Sequence, residues 1–263
     1  MFEVSNNAIY LSRMENTLVD KVWWVEHLPK HIKVVVDFGC ANGALGLFLN
    51  KHYPNRFEYI GIDENNEFLA EAELLNPKGI FFSSLEDFKR VYGTPLDSVL
   101  VLNSVIHELY TYMGNCEARI LLKEMIDMGF DYIAIRDMKL DTARGKRYYK
   151  VPLVKRIALE WQIRKSDYFE SFKDYKQYSP HPKKSLAFYE EFFLKYFYEE
   201  NWEREKRERY LWSWTPYLKY DIGNSYIAEQ AQSFCVPYVK DKVKADFGYD
   251  MFHTHVKLLL RKD

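Results

Sequence analysis

The sequence is poor in cysteine and lacks any long apolar run. Its three cysteines, Cys40, Cys116 and Cys235, are odd in number, far apart and in no paired metal-binding spacing. This pattern argues against a disulfide framework or a cysteine zinc site and favours a reducing, cytoplasmic setting. No stretch reaches about 18 consecutive apolar residues, so we expect no membrane span and no membrane partner. Charges interrupt the N-terminal stretch, which is not typical of a signal peptide.

An excess of charge of one sign is also absent, because the 263 residues carry a formal net charge of -1. That balance by itself predicts no polyanionic partner. Hydrophobic residues make up 48% of the chain and charged residues 29%, which is the composition of a folded protein rather than a disordered one. Aromatic residues are plentiful, at 17%, and predict large packing or stacking surfaces.

The first half of the chain alternates between short apolar stretches and stretches of helical periodicity. A helical pattern over residues 3–28 comes first, and four further helices are predicted between the strands that follow. Alternation of this kind predicts a parallel sheet with right-handed crossovers. Strands are predicted from the segments "IKVVVDFG", "FEYIGID", "GIFFSS", "DSVLVLNSV" and "FDYIAIRDM".

The pattern changes after Met138. Residues 139–184 contain 13 Lys and Arg against 5 Asp and Glu, a local balance of +8. One long helix is predicted over residues 185–209, a sixth strand at "RYLWSWT" (209–215) and a seventh at "FHTHVKLLLR" (252–261). We therefore expect an α/β core formed by residues 1–138 and 205–263, with a basic, aromatic, helical cap inserted at 139–204.

The stretch "VVVDFGCANGALGLFL" joins the first predicted strand to a helix through two glycines, Gly39 and Gly43. Glycines at such a turn let a ligand approach the backbone. The stretch lacks both Gly-Lys-Ser/Thr and G-x-G-x-x-G, and Asp37 would repel a pyrophosphate. Asp63 ends the second strand, where an acid is placed to accept hydrogen bonds from ribose hydroxyls. A ligand with a ribose and a cationic group, such as S-adenosylmethionine, meets both conditions.

These segments resemble a known superfamily. "VVDFGCANG" and "YIGID" resemble the first two motifs of the class I S-adenosylmethionine-dependent methyltransferases. "FFSSLEDF", "SVLVLNSVIHEL" and "HTHVKLLLR" resemble their segments after strand three, after strand four and at the last strand. The resemblance implies a Rossmann-like, seven-stranded, mostly parallel sheet with an antiparallel last strand, and a helical insertion after strand five. It also implies an S-adenosylmethionine site formed by Asp37, Gly39, Cys40, Ala41, Gly43, Asp63, Glu64, Ser84, Leu85 and Asn103.

The predicted catalytic residues follow strands four and five, at the edge of the sheet where ligands bind in such folds. They are Asn103, His107, Glu108 and Asp137. His107 has a suitable pKa for a general base, although a positioning or structural role is also open. Glu108 could instead interact with a helix dipole, and Asp137 could belong to an internal ion pair.

The sequence offers no evident metal site. His253 and His255 lie on one face of a predicted strand, but no third ligand accompanies them. The Asn/Asp-Pro-Pro-Tyr/Phe motif of methyltransferases acting on exocyclic base amines is missing, and the matching stretch is "NSVI".

The cap leaves three functions open. Basic residues and aromatics interleave within residues 144–165, as expected for a surface that binds a nucleic-acid acceptor. The same cap could instead close over a small-molecule acceptor and exclude water. A non-catalytic cofactor-binding or interaction protein is the third possibility. The basic candidates are Lys146, Arg147, Lys150, Lys155, Arg156, Arg164 and Lys165, and the stacking candidates are Tyr148, Tyr149 and Trp161.

Overall fold

A seven-stranded sheet organises the chain. The computed structural model describes residues 17–93, 95–138, 150–210, 225–251 and 253–263. The strands are β1 (Val34–Phe38), β2 (Glu58–Ile62), β3 (Ile80–Phe82), β4 (Ser98–Asn103), β5 (Tyr132–Met138), β6 (Tyr226–Phe234) and β7 (His255–Lys262).

The helices of the described residues alternate with β1–β5 and then form the insertion. Two 3₁₀ turns, Trp23–His27 and Glu199–Asn201, accompany them. The helices are α1 (Leu18–Lys21), α2 (Ala44–His52), α3 (Asn66–Leu75), α4 (Leu85–Tyr92), α5 (Ile106–Tyr112), α6 (Asn115–Asp127), α7 (Leu153–Lys165), α8 (Phe169–Tyr178), α9 (Leu186–Lys195), α10 (Trp202–Glu205) and α11 (Pro237–Phe247).

The order of the strands confirms the predicted topology. It runs β3-β2-β1-β4-β5-β7-β6, with β1 to β5 parallel and β7 antiparallel to both neighbours. The order reverses between β1 and β4, so the carboxyl ends of these two strands flank a crevice. The loops after β1 and β4 both open into that crevice.

Hydrophobic clusters cover both faces of the sheet, because its central strands are apolar on both sides. Successive residues of a strand point to opposite faces, so Val35 and Val36 enter different hydrophobic clusters. Val36 packs with residues such as Phe88 and Met125 on one face, and Val35 with Trp24 on the other. Burial on both sides is what the continuous apolar runs of parallel strands predict.

The residues predicted to form the cap contribute most of a separate hydrophobic cluster. Aromatic side chains of α8 and α9, among them Phe172, Phe188 and Phe192, form its centre. Val243 and Phe247 of α11, which lies within the range predicted for the α/β core, belong to the same cluster. The cap is therefore packed against a helix that lies between β6 and β7.

The structure corrects two predicted elements. The single helix predicted over residues 185–209 ends at Lys195, and the chain turns there before α10. The sixth strand is Tyr226–Phe234 rather than residues 209–215. Of the predicted strand, Arg209 and Tyr210 are not in a strand, and residues 211–215 lie outside the described ranges. Most of β6 is exposed, so its sequence lacks the apolar pattern that marks a buried strand.

None of the helices in the described ranges combines the length and apolar character needed to cross a membrane.

Candidate active site

The loop after β1 owes its tight turn to left-handed backbone. Gly39 has φ +76° and Gly43 has φ +70°. A Cβ on Gly39 would lie 2.8 Å from Cγ2 of Val105, and one on Gly43 would lie 3.0 Å from Cβ of Ala72. Both positions thus require glycine for backbone conformation and for space. The turn is followed directly by α2, for which Gly43 is the N-cap residue.

Asp63 holds this loop in place. Its Oδ2 accepts a hydrogen bond of 2.8 Å from the N–H of Ala41, and its Oδ1 accepts one of 2.9 Å from the N–H of Asn65. Burial raises the pKa of Asp63, while the two N–H groups oppose that shift. A carboxylate offers about four lone-pair sites, so both oxygens can still accept ribose hydroxyls.

Asp37 and Cys40 are buried beside the loop. Oδ2 of Asp37 accepts a hydrogen bond of 2.7 Å from the hydroxyl of Tyr59, and burial raises the pKa of Asp37 to about 6. Cys40 is 4% exposed, and its Sγ lies 2.7 Å from where a Cβ on Gly61 would be. Asp37 is itself 4% exposed, and its part in a cofactor site stays a prediction.

A cavity of about 1890 Å³ begins at the glycine loop and extends to the cap. Gly39, Ala41 and Asp63 line its first part. The predicted residues that also line it are Glu64, Ser84, Leu85, Asn103, His107 and Glu108, whereas Asp37, Cys40, Gly43 and Asp137 do not. The cavity therefore brings most of the predicted cofactor and catalytic residues to one space.

Three predicted residues of this cavity are placed to meet a polar ligand. Asn103 ends β4, and both polar atoms of its side chain are buried without a hydrogen-bond partner within the described ranges. Ser84 caps α4, since its Oγ accepts a hydrogen bond of 3.1 Å from the N–H of Asp87. Leu85 begins that helix, so its N–H has no partner inside the helix. Buried amides without partners are rare in proteins, and Asn103 marks a place for a polar ligand.

His107 and Asp137 form a buried pair, as one interpretation of the sequence proposed for Asp137. Nδ1 of His107 lies 2.7 Å from Oδ1 of Asp137, and the two side chains are 2% and 0% exposed. Nε2 of His107 lies 3.5 Å from Oε2 of Glu208. Burial alone would lower the pKa of His107, but the carboxylates of Asp137 and Glu208 outweigh it and hold that pKa well above its usual value. The two carboxylates thus favour the protonated form of His107.

Arg204 links the cap to the core. Its Nε donates a hydrogen bond of 2.6 Å to Oε1 of Glu208, and its Nη2 donates one to Oε1 of Glu108. The hydroxyl of Tyr112 donates a further bond of 2.9 Å to Glu208. Burial raises the pKa of Glu108 to about 7, and Arg204 opposes that shift. Burial also acts to raise the pKa of Glu208, but Arg204 and His107 bring it down to about 2.

The same side chains form a possible metal-binding group. One ligand atom from each of His107, Glu108 and Glu208 lies within 4.8 Å of the others. No sequence pattern pointed to this group, because Glu208 is 100 residues away from Glu108. The guanidinium of Arg204 already bonds to both glutamates, and its positive charge would repel a metal ion there.

Residues 204–208, which we call the returning segment, are fixed by the interior of the cap. The ammonium of Lys195 donates to the main-chain oxygen of Glu208, and Oε1 of Glu191 accepts a hydrogen bond of 2.9 Å from the N–H of Tyr210. The hydroxyl of Tyr210 donates a bond of 2.8 Å to Glu205. Burial raises the pKa of Glu205 to about 8, with Glu208 adding to the shift. The end of the cavity beside the returning segment is consequently rich in carboxyl groups.

Arg136 and Lys21 supply positive charge near the sheet edge. Arg136 points to the opposite side of β5 from Asp137, and its Nε donates a hydrogen bond of 2.6 Å to Asp20. Lys21, at the end of α1, is 5% exposed and lines the cavity. Sequence reasoning missed Lys21 as well as Tyr112, Arg204, Glu205, Glu208 and Tyr210. For Lys21 the only sequence signal was a charge within a helical pattern, which is ordinary on a surface helix.

The basic surface predicted for nucleic acid lies elsewhere. The residues of α7, among them Lys155, Arg164 and Lys165, do not line the cavity. Trp161 is 52% exposed, and the ammonium of Lys165 lies 3.5 Å from the centroid of its ring. Lys150 is exposed, forms an isolated antiparallel bridge with Ser185 and does not line the cavity. The other candidates, Lys146, Arg147, Tyr148 and Tyr149, lie outside the described residues.

Comparison with solved structures identifies the fold. A SAM-dependent methyltransferase from Archaeoglobus fulgidus aligns over 98% of this chain and 100% of its own, with a TM-score of 0.50 and 13% sequence identity. The chain thus has the fold of class I S-adenosylmethionine-dependent methyltransferases, which confirms the fold that the sequence resemblance implied.

Two further structures align at lower TM-scores. The plantazolicin methyltransferase BpumL, in complex with a pentazolic desmethylPZN analog and SAH, is 12% identical over 96% of this chain and 85% of its own, with a TM-score of 0.49. A putative sarcosine dimethylglycine methyltransferase from Galdieria sulphuraria is 10% identical over 95% and 86%, with a TM-score of 0.46. No protein-family model matches the sequence, and no curated protein matches it.

Proposed function

We propose that this protein is an S-adenosylmethionine-dependent methyltransferase that acts on a small molecule enclosed between the sheet edge and the returning segment. One observation carries the proposal: a single cavity joins the glycine loop and Asp63 to His107, Glu108 and Glu208. Its volume of about 1890 Å³ exceeds the roughly 300–1,000 Å³ typical of a pocket for one small ligand. Cofactor and acceptor can therefore share it.

The residues at the loop fit the cofactor. The space beside Gly39 and Gly43 is kept open by the absence of side chains, and the amide of Asn103 lacks a partner among the described residues. We assign the ribose to Asp63, the adenine to the region of Ser84 and Leu85, and the amino-acid end to the glycine loop. When bound, the cofactor supplies a methyl group on a sulfonium, which is already activated for transfer.

The protein's part in the reaction is then to position the acceptor and to receive its proton. In-line transfer gains most from holding the two reacting atoms in near-attack geometry. His107 lies between two carboxylates that raise its pKa, which supports a positioning role rather than the role of general base. Glu108 and Glu205, whose pKa values are raised to about 7 and about 8 by burial, are better matched to accept a proton near neutrality.

Charge favours a small acceptor over a nucleic acid. The cavity is lined by Glu208, whose pKa is held at about 2, and an ionised carboxylate disfavours a phosphate backbone. The exposed basic residues of α7 are not part of that lining. A nucleic-acid acceptor would have to use a surface remote from the predicted catalytic residues.

The proposal is tested by calorimetric titration with S-adenosylmethionine and by an unbiased methyl-transfer screen. We expect cofactor binding and transfer to a small molecule. The double variant Lys155→Glu, Lys165→Glu should leave that transfer unchanged, because both lysines are exposed and lie away from the cavity. Transfer to RNA or DNA that this variant abolishes would refute the small-molecule proposal. Tight cofactor binding without transfer to any acceptor would favour a non-catalytic role.

The cytoplasmic location stays a prediction from the sequence. Cys40, Cys116 and Cys235 are all free thiols in the structure, and Cys40 is buried.

A further inference from the structure

Lys21 is a buried ammonium that lines the cavity without a partner of its own among the described residues. Its side chain is 5% exposed, and the residue borders the same space as Gly39 and Asn103. In the part of the chain that the structure describes, Lys21 makes no side-chain hydrogen bond and no ion pair within 4 Å. An unpaired buried charge costs far more free energy than a paired one, so it is rare outside functional sites.

The acids near Lys21 are already engaged by other groups. Asp20 binds Arg136 and Lys257. Asp37 accepts its hydrogen bond from Tyr59, and Glu108 binds Arg204. These three carboxylates attract Lys21 only at longer range, while Arg136 repels it. Each of these carboxylates thus already has a closer partner than Lys21.

The charge balance limits what Lys21 can bind. Burial, together with Arg136, lowers the pKa of Lys21 to about 8, so the group is still mostly protonated at pH 7. A protonated, desolvated ammonium needs an anion. A phosphate dianion would suffer repulsion from Asp37, Glu108 and Asp20, whereas a single carboxylate brings only one negative charge.

We propose that Lys21 binds the carboxylate on the methionine end of S-adenosylmethionine. The inference rests on the proposed function. Lys21 interacts with Asp37, which lies near the end of β1 just before the glycine loop, and with Glu108, which follows β4. The loop after β1 is where the amino-acid end of the cofactor was assigned above. A helix that precedes the sheet in sequence thus supplies the countercharge for the cofactor.

The test compares two ligands on the full-length protein. S-adenosylmethionine carries the carboxylate, and decarboxylated S-adenosylmethionine lacks it while keeping the ribose, adenine and sulfonium. We expect Lys21→Met to weaken binding of S-adenosylmethionine by about 10- to 100-fold, the range for loss of a charged hydrogen bond. Binding of the decarboxylated ligand should change by less than about twofold. Lys30→Met, at an exposed lysine nearby in the sequence, is the matched control and should alter neither affinity.

The outcomes separate this inference from the proposed function. Equal weakening of both ligands by Lys21→Met, or no weakening of either, would overturn the role of Lys21 while leaving cofactor binding established. Failure of the unaltered protein to bind either ligand would overturn both proposals. Should Lys21→Met not fold, the unaltered protein decides alone: we expect it to bind S-adenosylmethionine at least about tenfold more tightly than the decarboxylated ligand. Equal affinities would contradict the inference.

Discussion

The main-chain N–H of Ala41 donates a hydrogen bond of 2.8 Å to Oδ2 of Asp63, which lies 22 residues further along the chain. Ala41 has φ 47°, a left-handed conformation that costs a non-glycine residue free energy. The bond stabilises that conformation and joins the loop after β1 to the end of β2. One carboxylate thereby shapes the loop and stays available to a ribose.

Replacing Asp63 should therefore affect the cofactor more than the fold. We expect Asp63→Ala to weaken S-adenosylmethionine binding by about 100-fold or more, because the ribose contacts and the loop geometry are lost together. Asp63→Asn should weaken S-adenosylmethionine binding less, since its amide oxygen can still accept one hydrogen bond. Calorimetric titration of the three proteins gives the affinities. Unchanged affinity in Asp63→Ala would contradict the cofactor assignment.

Two glycine substitutions separate the free-energy cost of left-handed backbone from the free-energy cost of overpacking. Gly248 is in the left-handed conformation, with φ +65°, and no atom lies within 4 Å of the position that a Cβ would take, whereas a Cβ on Gly39 would meet Val105 at 2.8 Å. We expect Gly248→Ala to lower the free energy of unfolding by about 1 kcal/mol, the cost of left-handed backbone. Gly39→Ala should lower it by about 1–3 kcal/mol more, through overpacking. Urea denaturation measures both, and equal losses would show that Val105 moves aside without cost.

Arg204 should stabilise the junction of cap and core more than an exposed arginine stabilises its surroundings. It is 4% exposed and bonds to Glu108 and Glu208. Arg204→Ala leaves two largely buried carboxylates without their guanidinium, so we expect a loss of about 3–5 kcal/mol in unfolding free energy. Arg90→Ala, which breaks an exposed pair with Asp87, should cost less than about 1 kcal/mol. Similar losses in the two variants would mean that the buried network does not stabilise the protein.

The pair of His107 and Asp137 predicts a dependence of stability on pH. The folded-state pKa of His107 is raised, so its contribution is complete below the unfolded pKa of about 6.5 and is lost as pH rises through the folded pKa. The unaltered protein should therefore lose stability relative to His107→Gln as pH increases across that window. Urea denaturation at stepped pH gives this difference. A difference that stays constant with pH would contradict the raised pKa of His107.

A spectroscopic measurement checks the cause of that shift. Asp137→Asn keeps the shape of the side chain but removes its charge, so the pKa of His107 should fall. NMR titration of the imidazole in the two proteins reports this change directly. An unchanged pKa in Asp137→Asn would assign the effect to Glu208 instead.

Much of the fold could be predicted because its signals are local. The apolar strands, the glycines at 39 and 43 and the acid at 63 each follow from residues close together in sequence. The rules for crossover connections then determine how the strands assemble, and the sheet order agrees. The sixth strand was misplaced because β6 is mostly exposed and lacks apolar periodicity.

The helix predicted over residues 185–209 failed for a different reason. Residues Ala187 to Lys195 are all buried, and beyond them helical periodicity continues in the sequence although the helix does not. The chain turns because Arg204 and Glu208 find partners on the core and because Lys195 holds the main chain at Glu208. Such partners are remote in sequence, and no local pattern contains them.

Hydrophobic periodicity and backbone freedom are properties of neighbouring residues, so the sheet, the glycine loop and the position of Asp63 were already defined by the order of the amino acids. The electrostatics of the site were not. His107 has the sequence context of a base, yet its charge is set by Asp137, 30 residues away, and by Glu208 of the returning segment. Lys21 has the sequence context of a surface lysine, but folding buries it away from water. The pKa of a side chain depends on solvent and on charges in space, and these come together only when the chain is folded.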